Sequence, residues 1–576
     1  MSSLELILIT GRRISQGRSL DIGKLTNDYF KSVALAELDS DDFEKLGLKD
    51  SDNVEVTSEY GSVVVMAVKS RKRHPGIIFI PMGPWANQLV NPDTYGSGMP
   101  TFKGIPVRVA KTEKKVLDIQ ELFEKKFNVK LYADNLDLET SAPGDSVKVV
   151  KDVVCSFCGC LCDDLEVEIS GNKIVKVRKA CALGTSKILH YDKNRILHPY
   201  IRVNGKLEKT SLEAAIKKAA EILVNSKYPL LYGWSNTTVE AIRLGAELAE
   251  YLGGVFDNTS VVCHGPTVLG VQEAGFVTAT LGQIRNHADL IIYWGCNPLH
   301  AHPRHANRYS ALARGIFIKS KKERKIVVID VKETDTVKLA DLFIKVEPGR
   351  DYELISAIRA LIKGYDVEFD EVAGVDIETI RKLVDMMISA KFGVIFYGLG
   401  LTMSIGKGRN IEEVIRLAQD LNEWTKFVAL PMRGHYNVVG ANQVSAWITG
   451  YAFAVDFRRK YPRHNPGVTS ATDLLEEGDV DAALIVASDP VAHFPAKAVE
   501  NLLKIPVITL DPKWNLTAAT STVIIPVAIA GVEIEGTAYR MDKVPLRLKK
   551  LVEPPSGVLS DEEVLKLLLE EVKKLA

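Results

Sequence analysis

The first 128 residues alternate short apolar runs with turn residues. These runs include LELILIT, DNVEVTSEYGSVVVMAVKS, GIIFIPMGPW and GIPVRVAK, and Gly, Pro or Asp residues separate them. Apolar residues at every second position are typical of strands with one buried face. The pattern therefore predicts that residues 1–128 form a compact β-rich domain, which we interpret as a β-barrel.

A different pattern begins near residue 206. Runs such as PLLYGWS, ADLIIYWG, KIVVIDV, DAALIVAS and IPVITLDP are apolar on both faces, and amphipathic stretches such as SLEAAIKKAAEILVNS separate them. Strands buried on both faces that alternate with helices indicate parallel sheets covered on each side. We expect doubly wound α/β domains over residues 206–576, a polar linker at 129–150, and a small separate domain at 151–205.

Composition and charge restrict the classes of partner. Lys plus Arg and Asp plus Glu both number 73, so the net charge does not favour nucleic acid or an anionic membrane surface. No apolar run reaches the roughly 18 residues of a membrane span, and the first residues do not resemble a secretory signal. With 46% apolar residues, a chain of this length needs no disulfides. We expect a soluble, cytoplasmic protein with free thiols.

Five of the seven cysteines lie between residues 155 and 181. Cys155, Cys158 and Cys162 come from one tight loop, and Cys181 follows on a later segment. Four thiolates in this arrangement suit a 4Fe–4S cluster. Structural zinc is the alternative, although zinc sites usually pair two C-x2-C units and the second is missing here. Cys160 could replace Cys162 as the third ligand.

Cys263 and His264 form a second candidate site. They follow an apolar, strand-like run and precede a Gly-Pro turn. A cysteine at a strand end can serve as a soft metal ligand, and an adjacent histidine can donate a proton. Read alone, the same cysteine could equally be a buried, inert thiol.

Several strings give the chain a family resemblance. CSFCGCLCDD, ACALG, VVCHGP, WGCNPLHAHPRH and PMRGHYNVVGAN resemble the catalytic B subunit of formylmethanofuran dehydrogenases, which are molybdopterin oxidoreductases. ITGRRISQG and NPDTYGSGMPTFKGIPVRV resemble the D subunit of these enzymes, a molybdopterin-dinucleotide-binding barrel of double-psi type. The resemblance covers nearly the whole chain, with the barrel fused in front of the catalytic part.

The resemblance implies a cofactor and roles for particular residues. Tungsten or molybdenum would be held by two molybdopterin guanine dinucleotides, with Cys263 completing the metal's coordination. His264 and Arg433 match residues that line the substrate pocket, where a guanidinium can bind carboxylate oxygens through its planar fork. A lysine often bridges cluster and pterin in this superfamily, and both Lys179 and Lys187 are possible.

Two dinucleotides need a large polar binding surface. Loops after the predicted strands can supply backbone amides for diphosphates and carboxylates for guanine or ribose groups, although Asp and Gly are also ordinary turn residues. The candidates in the α/β part are Gly295, Asn297, Asp330, Lys332, Gly349, Asp351, Ser488, Asp489 and Asp511. The candidates in the barrel are Thr10, Arg13, Ser15, Gly17, Asn87, Asp93, Thr94 and Gly98.

The segment His300-Ala-His302-Pro-Arg-His305 resembles the H-x-H motif of amidohydrolases. No matching remainder of a dinuclear site is found in the chain, so we interpret these histidines as pocket lining or structural residues. In the family the amidohydrolase is a separate subunit.

The resemblance implies reversible reduction of carbon dioxide to formate in archaeal methanogenesis, with electrons arriving through the 4Fe–4S cluster. The expected partners are the amidohydrolase subunit and polyferredoxin-type iron–sulfur subunits, with no nucleic acid. One alternative is a formate dehydrogenase that acts without methanofuran. An alternative of another class is a non-catalytic iron–sulfur scaffold that has lost the metal.

Overall fold

The computed structural model describes residues 3–134, 137–138 and 146–576. Part of the predicted linker at 129–150 lies outside these residues. Among the described residues, no helix combines the length and apolar character that a membrane crossing requires.

The amino-terminal part is a closed six-stranded barrel, with strand order β1-β5-β2-β4-β3-β6, which confirms the predicted barrel. The elements of this part are β1 (Ser3–Gly11), α1 (Ile14–Ile22), α2 (Asn27–Val33), β2 (Leu35–Leu38), α3 (Ser40–Lys45), β3 (Asn53–Thr57), β4 (Ser62–Lys69), β5 (Ile77–Pro81), β6 (Lys103–Thr112) and α4 (Ile119–Phe127). Strand β1 pairs in parallel with β5 and antiparallel with β6. The alternating apolar residues of the strands, such as Val54 and Val56, point into the barrel and are fully buried.

A small antiparallel sheet and one helix follow the barrel. Its elements are β7 (Val147–Val153), β8 (Leu165–Ser170), β9 (Lys173–Arg178) and α5 (Ala182–Leu189). Strand β7 therefore begins within the range predicted as linker. The loop between β7 and β8 carries four of the clustered cysteines, and Cys181 is the N-cap residue of α5.

The remainder consists of two α/β units built on separate sheets. Its elements are β10 (Tyr200–Val203), β11 (Lys206–Lys209), α6 (Leu212–Asn225), β12 (Pro229–Gly233), α7 (Val239–Leu252), β13 (Val255–Asn258), α8 (Gly265–Ala274), α9 (Leu281–His287), β14 (Leu290–Trp294), α10 (Pro298–Ala301), α11 (His305–Tyr309), β15 (Lys325–Asp330), β16 (Leu342–Lys345), α12 (Asp351–Ile362), β17 (Glu371–Val372), β18 (Val375–Asp376), α13 (Ile377–Ser389), β19 (Phe392–Tyr397), α14 (Leu399–Thr402), α15 (Lys407–Leu421), β20 (Lys426–Pro431), α16 (Val438–Thr449), β21 (Val455–Asp456), β22 (Arg463–His464), α17 (Ala471–Glu477), β23 (Ala482–Val486), α18 (Pro490–His493), α19 (Ala496–Leu502), β24 (Val507–Asp511), α20 (Leu516–Thr520), β25 (Val523–Pro526), β26 (Gly536–Tyr539), β27 (Pro545–Leu548) and α21 (Asp561–Leu575).

Both large sheets contain the parallel strands that the apolar runs predicted. The nine-stranded sheet has the order β11-β10-β25-β24-β23-β12-β13-β21-β22, and its five central strands from β25 to β13 run parallel. The five-stranded sheet has the order β16-β15-β14-β19-β20 and is parallel throughout. Every residue of β12, β14, β23 and β24 is buried, because helices cover both faces of each sheet.

The carboxyl ends of strands from both sheets meet at one place, and the barrel covers it. Lys24, just after α1, forms a 2.5 Å ion pair with Asp489 after β23. Lys72, between β4 and β5, forms a 2.9 Å ion pair with Asp335. These contacts hold the barrel over the strand ends, which is the position where open α/β sheets bind ligands.

A fully buried ion pair joins the cysteine-rich part to a loop beside the strand ends. The Arg195 guanidinium donates from Nη1 to Glu533 Oε1 at 2.5 Å and from Nη2 to Glu533 Oε2 at 3.0 Å. It also donates to the carbonyls of Tyr191 and Pro512. The Ile529 amide donates to the same carboxylate at 2.8 Å, so the pair fixes the loop that begins at Ile529.

We predict that Glu533→Gln destabilises the protein by about 3 to 5 kcal/mol, because it leaves the buried Arg195 charge uncompensated. Thermal unfolding followed by circular dichroism would measure the change. Glu535→Gln is the matched control, since its 2.7 Å pair with Arg547 lies on the surface, where ion pairs contribute little. Equal midpoints for the two variants would contradict the prediction.

Candidate functional site

A cavity of about 550 Å³ lies between the barrel, the two large sheets and the cysteine-rich part. It collects residues from distant parts of the sequence at the strand ends. Of the predicted residues, those that line it are Thr10, Arg13, Gly17, Cys158, Lys187, Cys263, Gly295, Asn297, His300, His302, Asp330, Lys332, Gly349, Asp351, Ser488, Asp489 and Asp511.

Glycines bring two strand ends of the five-stranded sheet close together. Gly295 follows β14 with φ of +57°, and Gly400 lies beyond β19. A Cβ atom at Gly400 would lie 2.5 Å from the Gly295 Cα, and one at Gly398 would lie 2.5 Å from the Cys296 Cβ. No larger side chain fits at these positions without moving the backbone, so this wall of the cavity is made of closely packed main chain.

Basic side chains line the cavity from several sides: Arg12, Lys24, Lys103, Lys187, Lys332 and Lys513. Burial lowers the pKa of Lys103, Lys332 and Lys513, each to about 8. Our sequence reasoning missed Arg12, Lys24, Lys103 and Lys513. Two of them had a usable signal, because Arg12 precedes the predicted Arg13 and Lys513 follows the predicted Asp511 by two residues.

The wall carboxylates Asp351, Asp489 and Asp511 are buried, and Asp330 is half-buried. Burial raises the pKa of Asp330 to about 6 and that of Asp351 and Asp511 to about 7. Asp351 accepts a 2.9 Å hydrogen bond from Trp294 Nε1. Asp489 has the most partners, because it accepts from Lys24, from the Leu516 amide and from both the amide and the hydroxyl of Thr517.

Other polar atoms of the wall have no hydrogen-bond partner among the residues that the structure describes. They are Asp21 Oδ2, His302 Nδ1, Thr334 Oγ1, Ser488 Oγ and His493 Nδ1. Buried polar atoms are rarely left unpaired in folded proteins. Their concentration around one cavity, next to several cations, fits a large polar, anionic ligand with many donors and acceptors.

Cys263 lies on the cavity wall after a short 3-10 turn at Thr259–Val262. Its carbonyl accepts a 2.9 Å hydrogen bond from the Thr402 hydroxyl, and a Cβ at Gly434 would touch its Sγ at 4.0 Å. Burial raises the pKa of the Cys263 thiol, while the Gly434 amide and the Arg433 and Arg12 guanidinium groups act in the opposite direction. These donors and charges would stabilise a thiolate.

His264 and Arg433 lie behind Cys263 and are not among the lining residues of the main cavity. His264 Nε2 donates to the Met432 carbonyl at 3.2 Å, so Nδ1 accepts from the Thr267 hydroxyl at 2.9 Å. Burial lowers the pKa of His264 to about 3, and the ring is therefore neutral. Arg433 is buried, donates to Asn442 Oδ1 at 2.5 Å, and has no carboxylate partner among the described residues.

The five clustered cysteines surround a second, much smaller cavity of about 10 Å³. All are free thiols, and Gly184 allows close packing there, since a Cβ on it would lie 2.9 Å from Cys155 Sγ. A hydrogen bond from Cys160 lowers the pKa of the Cys158 thiol. This direction fits Cys158 as a thiolate ligand and Cys160 as a neutral neighbour, although Cys160 faces the same cavity.

No three His, Cys, Asp or Glu side chains within residues 3–134, 137–138 and 146–576 converge closely enough to hold a single metal ion. A zinc ion with 2.3 Å bonds would need sulfur atoms about 3.8 Å apart. A 4Fe–4S cluster is larger than a single ion, so its four sulfur ligands lie farther apart than those of a zinc ion. Cys158 lines both cavities, so the cysteine loop reaches the wall of the main cavity.

The structure distinguishes the two lysines that were possible bridging residues. Lys187, on α5, lines the main cavity, and its ammonium group lies 5.3 Å from the centre of the Tyr436 ring. Burial lowers the pKa of Lys187, and the nearby Asp21, Cys155, Asp511 and Cys158 oppose this. Lys179 instead forms an exposed 2.8 Å ion pair with Glu166.

Five of the predicted barrel residues do not line the cavity. Ser15 is exposed. Asn87 donates to the Ala492 carbonyl at 2.9 Å, and Thr94 donates to Asp473 at 2.6 Å. Asp93 accepts from the Tyr95 amide, and Gly98 packs on Ser470. Three of them, Asn87, Thr94 and Gly98, contact the α/β part, and their role toward a cofactor stays a prediction.

The three histidines of the H-x-H segment have separate environments. His300 pairs with Asp335 at 2.5 Å at the cavity wall. His302 donates from Nε2 to the Arg433 carbonyl at 2.7 Å. His305 is fully buried, and its Nδ1 lies 3.0 Å from Ser310 Oγ. These contacts fit our interpretation of the segment as lining and structural residues.

Two family matches cover most of the chain. Residues 6–106 match the family described as Molydopterin dinucleotide binding domain. Residues 195–571 match the family described as Molybdopterin oxidoreductase. The two matches correspond to the barrel and to the α/β units.

Individual relatives agree with these matches. The chain is 52% identical over 433 residues to the B subunit of the tungsten-containing formylmethanofuran dehydrogenase 2 of Methanocaldococcus jannaschii, covering 74% of this chain and 100% of that protein. It is also 48% identical over 128 residues to Protein FwdD of the same organism, covering 22% of this chain and 96% of that protein.

A solved structure shares the fold. It is a chain in the formyltransferase/hydrolase complex of Methylorubrum extorquens with methylofuran, with a TM-score of 0.54 and 25% identity over 66% of this chain and 99% of that chain. Together with the cavity at the strand ends and the barrel that covers it, these similarities show that the chain belongs to the molybdopterin oxidoreductase family and, within it, groups with the B subunits of formylmethanofuran dehydrogenases, with an FwdD-like barrel in the same chain.

Proposed function

We propose that this protein is the redox subunit of a formylmethanofuran dehydrogenase and reversibly reduces carbon dioxide to formate, consuming two electrons and one proton. The observation that carries the proposal is the position of Cys263 on the wall of the 550 Å³ cavity, which Cys158 of the cysteine loop also lines. We infer tungsten rather than molybdenum because the relative from Methanocaldococcus jannaschii is named as tungsten-containing.

We propose that two molybdopterin guanine dinucleotides bind at this cavity. Their diphosphates would be bound by the basic residues of the wall, with Arg12 and Arg13 contributed by the barrel and Lys332 and Lys513 by the strand ends. The unpaired atoms Ser488 Oγ and His493 Nδ1 would form hydrogen bonds with the polar head groups. When bound, the metal–pterin group would supply the site of two-electron exchange with the substrate carbon.

The residues behind Cys263 would bind and orient the substrate. Arg433 offers a buried guanidinium with no carboxylate partner among the described residues, and such a group binds a carboxylate through two parallel hydrogen bonds. Asn442 holds the guanidinium in place, because its amide also donates to Ser260 Oγ at 2.9 Å. His264 would keep the Cys263 loop in position, since both of its ring nitrogens already form hydrogen bonds.

A 4Fe–4S cluster at Cys155, Cys158, Cys162 and Cys181 would deliver the electrons. Lys187 lines the main cavity, as Cys158 of the cysteine loop does, and is the better candidate for the bridging lysine. The solved relative belongs to a complex described as a formyltransferase/hydrolase. We therefore propose an amidohydrolase-type subunit as one partner, to condense the formate with methanofuran, and polyferredoxin-type subunits as electron donors.

We predict that Cys263→Ala reduces formate oxidation with an artificial electron acceptor by at least about a thousandfold, because it removes a metal ligand. Iron content and the cluster's spectroscopic signal should stay at wild-type levels. Cys296→Ala is the control, because its thiol also borders the cavity but bonds to the Phe396 carbonyl at 3.4 Å, and it should keep most of the activity. An active Cys263→Ala enzyme would remove Cys263 from the site.

A pair of variants tests the cluster ligands. Cys158→Ala should lose the iron–sulfur signal and about one cluster's worth of iron, because a 4Fe–4S cluster needs four thiolates. Cys160→Ala should retain both, since we expect its thiol to donate only a hydrogen bond. Loss of the iron–sulfur signal in Cys160→Ala would show that Cys160 is a ligand and would put Cys162 in doubt.

Arg433→Lys keeps the positive charge but loses the planar fork. We predict a loss of about 1.5 to 4 kcal/mol in transition-state stabilisation, which is on the order of tenfold to a thousandfold in kcat/KM for formate. Tungsten and iron content, measured on the same samples, should not change. Arg409→Lys, in an exposed pair with Glu412, is the control. If activity falls only in proportion to metal content, Arg433 belongs to the scaffold.

A further inference from the structure

Tyr397 is the last residue of β19 and is completely buried. Its hydroxyl has no hydrogen-bond partner among the residues that the structure describes. Burial raises the pKa of Tyr397, and the nearby Thr267 hydroxyl acts in the opposite direction. That hydroxyl donates its own proton to His264 Nδ1 and is not in hydrogen-bond geometry with the Tyr397 hydroxyl. Neither the catalytic residues predicted from the sequence nor the cavity wall includes this tyrosine.

The main chain places Tyr397 beside the residues proposed to bind substrate. Its carbonyl accepts a 2.8 Å hydrogen bond from the Met432 amide, and Arg433 is the next residue. The His264 ring lies 6.2 Å from the Tyr397 ring, in an edge-on arrangement. Tyr397 and Cys263 are the two groups whose ionised forms would interact most strongly with the Arg433 guanidinium. All four side chains therefore lie around one small region.

A buried hydroxyl without a hydrogen-bond partner lowers the stability of the folded protein. The same sheet contains a buried tyrosine whose hydroxyl does have a partner. Tyr293 on the neighbouring strand β14 is equally buried, but its hydroxyl lies 2.6 Å from Ser310 Oγ. Tyr397 lacks such a partner, and burial raises its pKa, so the hydroxyl stays protonated and can donate. A ligand whose acceptor atom forms a hydrogen bond with this hydroxyl would account for its lack of a partner in the protein.

We propose that the Tyr397 hydroxyl donates a further hydrogen bond to one oxygen of the substrate carboxylate, whose two oxygens the Arg433 fork binds. The pair would select a planar anion with two oxygens, such as formate, and would hold its carbon at a fixed angle to Cys263. This inference rests on the function proposed above. It adds a specificity-determining residue to that site.

The test is Tyr397→Phe in the metal-loaded protein. We expect the KM for formate to rise about tenfold to a hundredfold, which is the effect of losing one hydrogen bond to a charged ligand. The midpoint of thermal unfolding without formate should stay the same or rise, because the variant removes an unpaired buried hydroxyl. The formate concentration needed for a given rise in the thermal midpoint should increase by the same factor as KM.

Tyr293→Phe is the matched control. It removes a hydroxyl that is paired with Ser310, so it should lower the thermal midpoint and leave the KM for formate unchanged. The two variants thus predict opposite patterns of stability and substrate binding. A structural role for Tyr397 would instead make the two variants behave alike.

Two outcomes in an active enzyme would overturn the inference. The first is a Tyr397→Phe protein with a lowered thermal midpoint and an unchanged KM, which would assign the hydroxyl to the fold. The second is an equal stabilisation of wild type and variant by formate. If the metal-loaded wild type fails to oxidise formate, the proposed function fails. The formate-dependent thermal midpoints still decide on Tyr397 in that case, and no stabilisation of the wild type by formate would reject it too.

Discussion

The central constraint on this fold is the burial of charge around one cavity. Basic and acidic side chains from the barrel and from both sheets are withdrawn from water there, and their pKa values move toward neutrality as a result. Ions in such surroundings are costly unless partners compensate them. The ion pair between Lys24 and Asp489 supplies part of the compensation from within the chain. A polyanionic cofactor would supply more, and cofactor binding should therefore contribute to the stability of the whole assembly.

The backbone architecture follows from the same constraint. Parallel strands in two sheets bring their carboxyl ends together, and the glycines after β14 and β19 let the chain turn without side chains filling the space. The barrel then acts as the fourth wall. It contributes basic groups such as Arg12 and Lys103 to the cavity, and it binds the α/β units through ion pairs at the rim, as Lys72 does with Asp335. Without the barrel, the strand ends would face solvent.

The sequence predicted the barrel and the parallel sheets because their signals are local. Apolar residues at every second position indicate a strand with one buried face, and continuous apolar runs indicate a strand buried on both faces. The strand-end residues Asp330, Asp351 and Asp511 could be chosen for the same reason, since topology carries the carboxyl ends of parallel strands to one side. Lys24 and Tyr397 could not be chosen. The role of Lys24 depends on how the barrel docks, and that of Tyr397 depends on the direction of its hydroxyl. Neither property produces a periodic pattern in the sequence.

Some expectations were reasonable locally but depended on packing that sequence does not express. Thr94 and Gly98 were chosen as cofactor-binding candidates of the barrel, and the structure shows that they also contact Asp473 and Ser470 at α17. Such a contact between domains has no signal in the sequence. The choice of a bridging lysine also depends on the structure, because the sequence did not distinguish the candidates Lys179 and Lys187. Lys187 lies on α5, whose N-cap residue is Cys181, and it lines the cavity, whereas Lys179 precedes that helix.

Joining the barrel to the α/β units in one chain has a consequence for assembly. Two separate proteins meet at a rate set by their cellular concentrations, whereas two domains of one chain experience an effective concentration on the order of millimolar. A few polar contacts at the rim are then sufficient to keep the barrel on the α/β units. The barrel is also made before the rest of the chain during synthesis, so each catalytic unit receives one barrel, and the cell need not balance the production of two polypeptides.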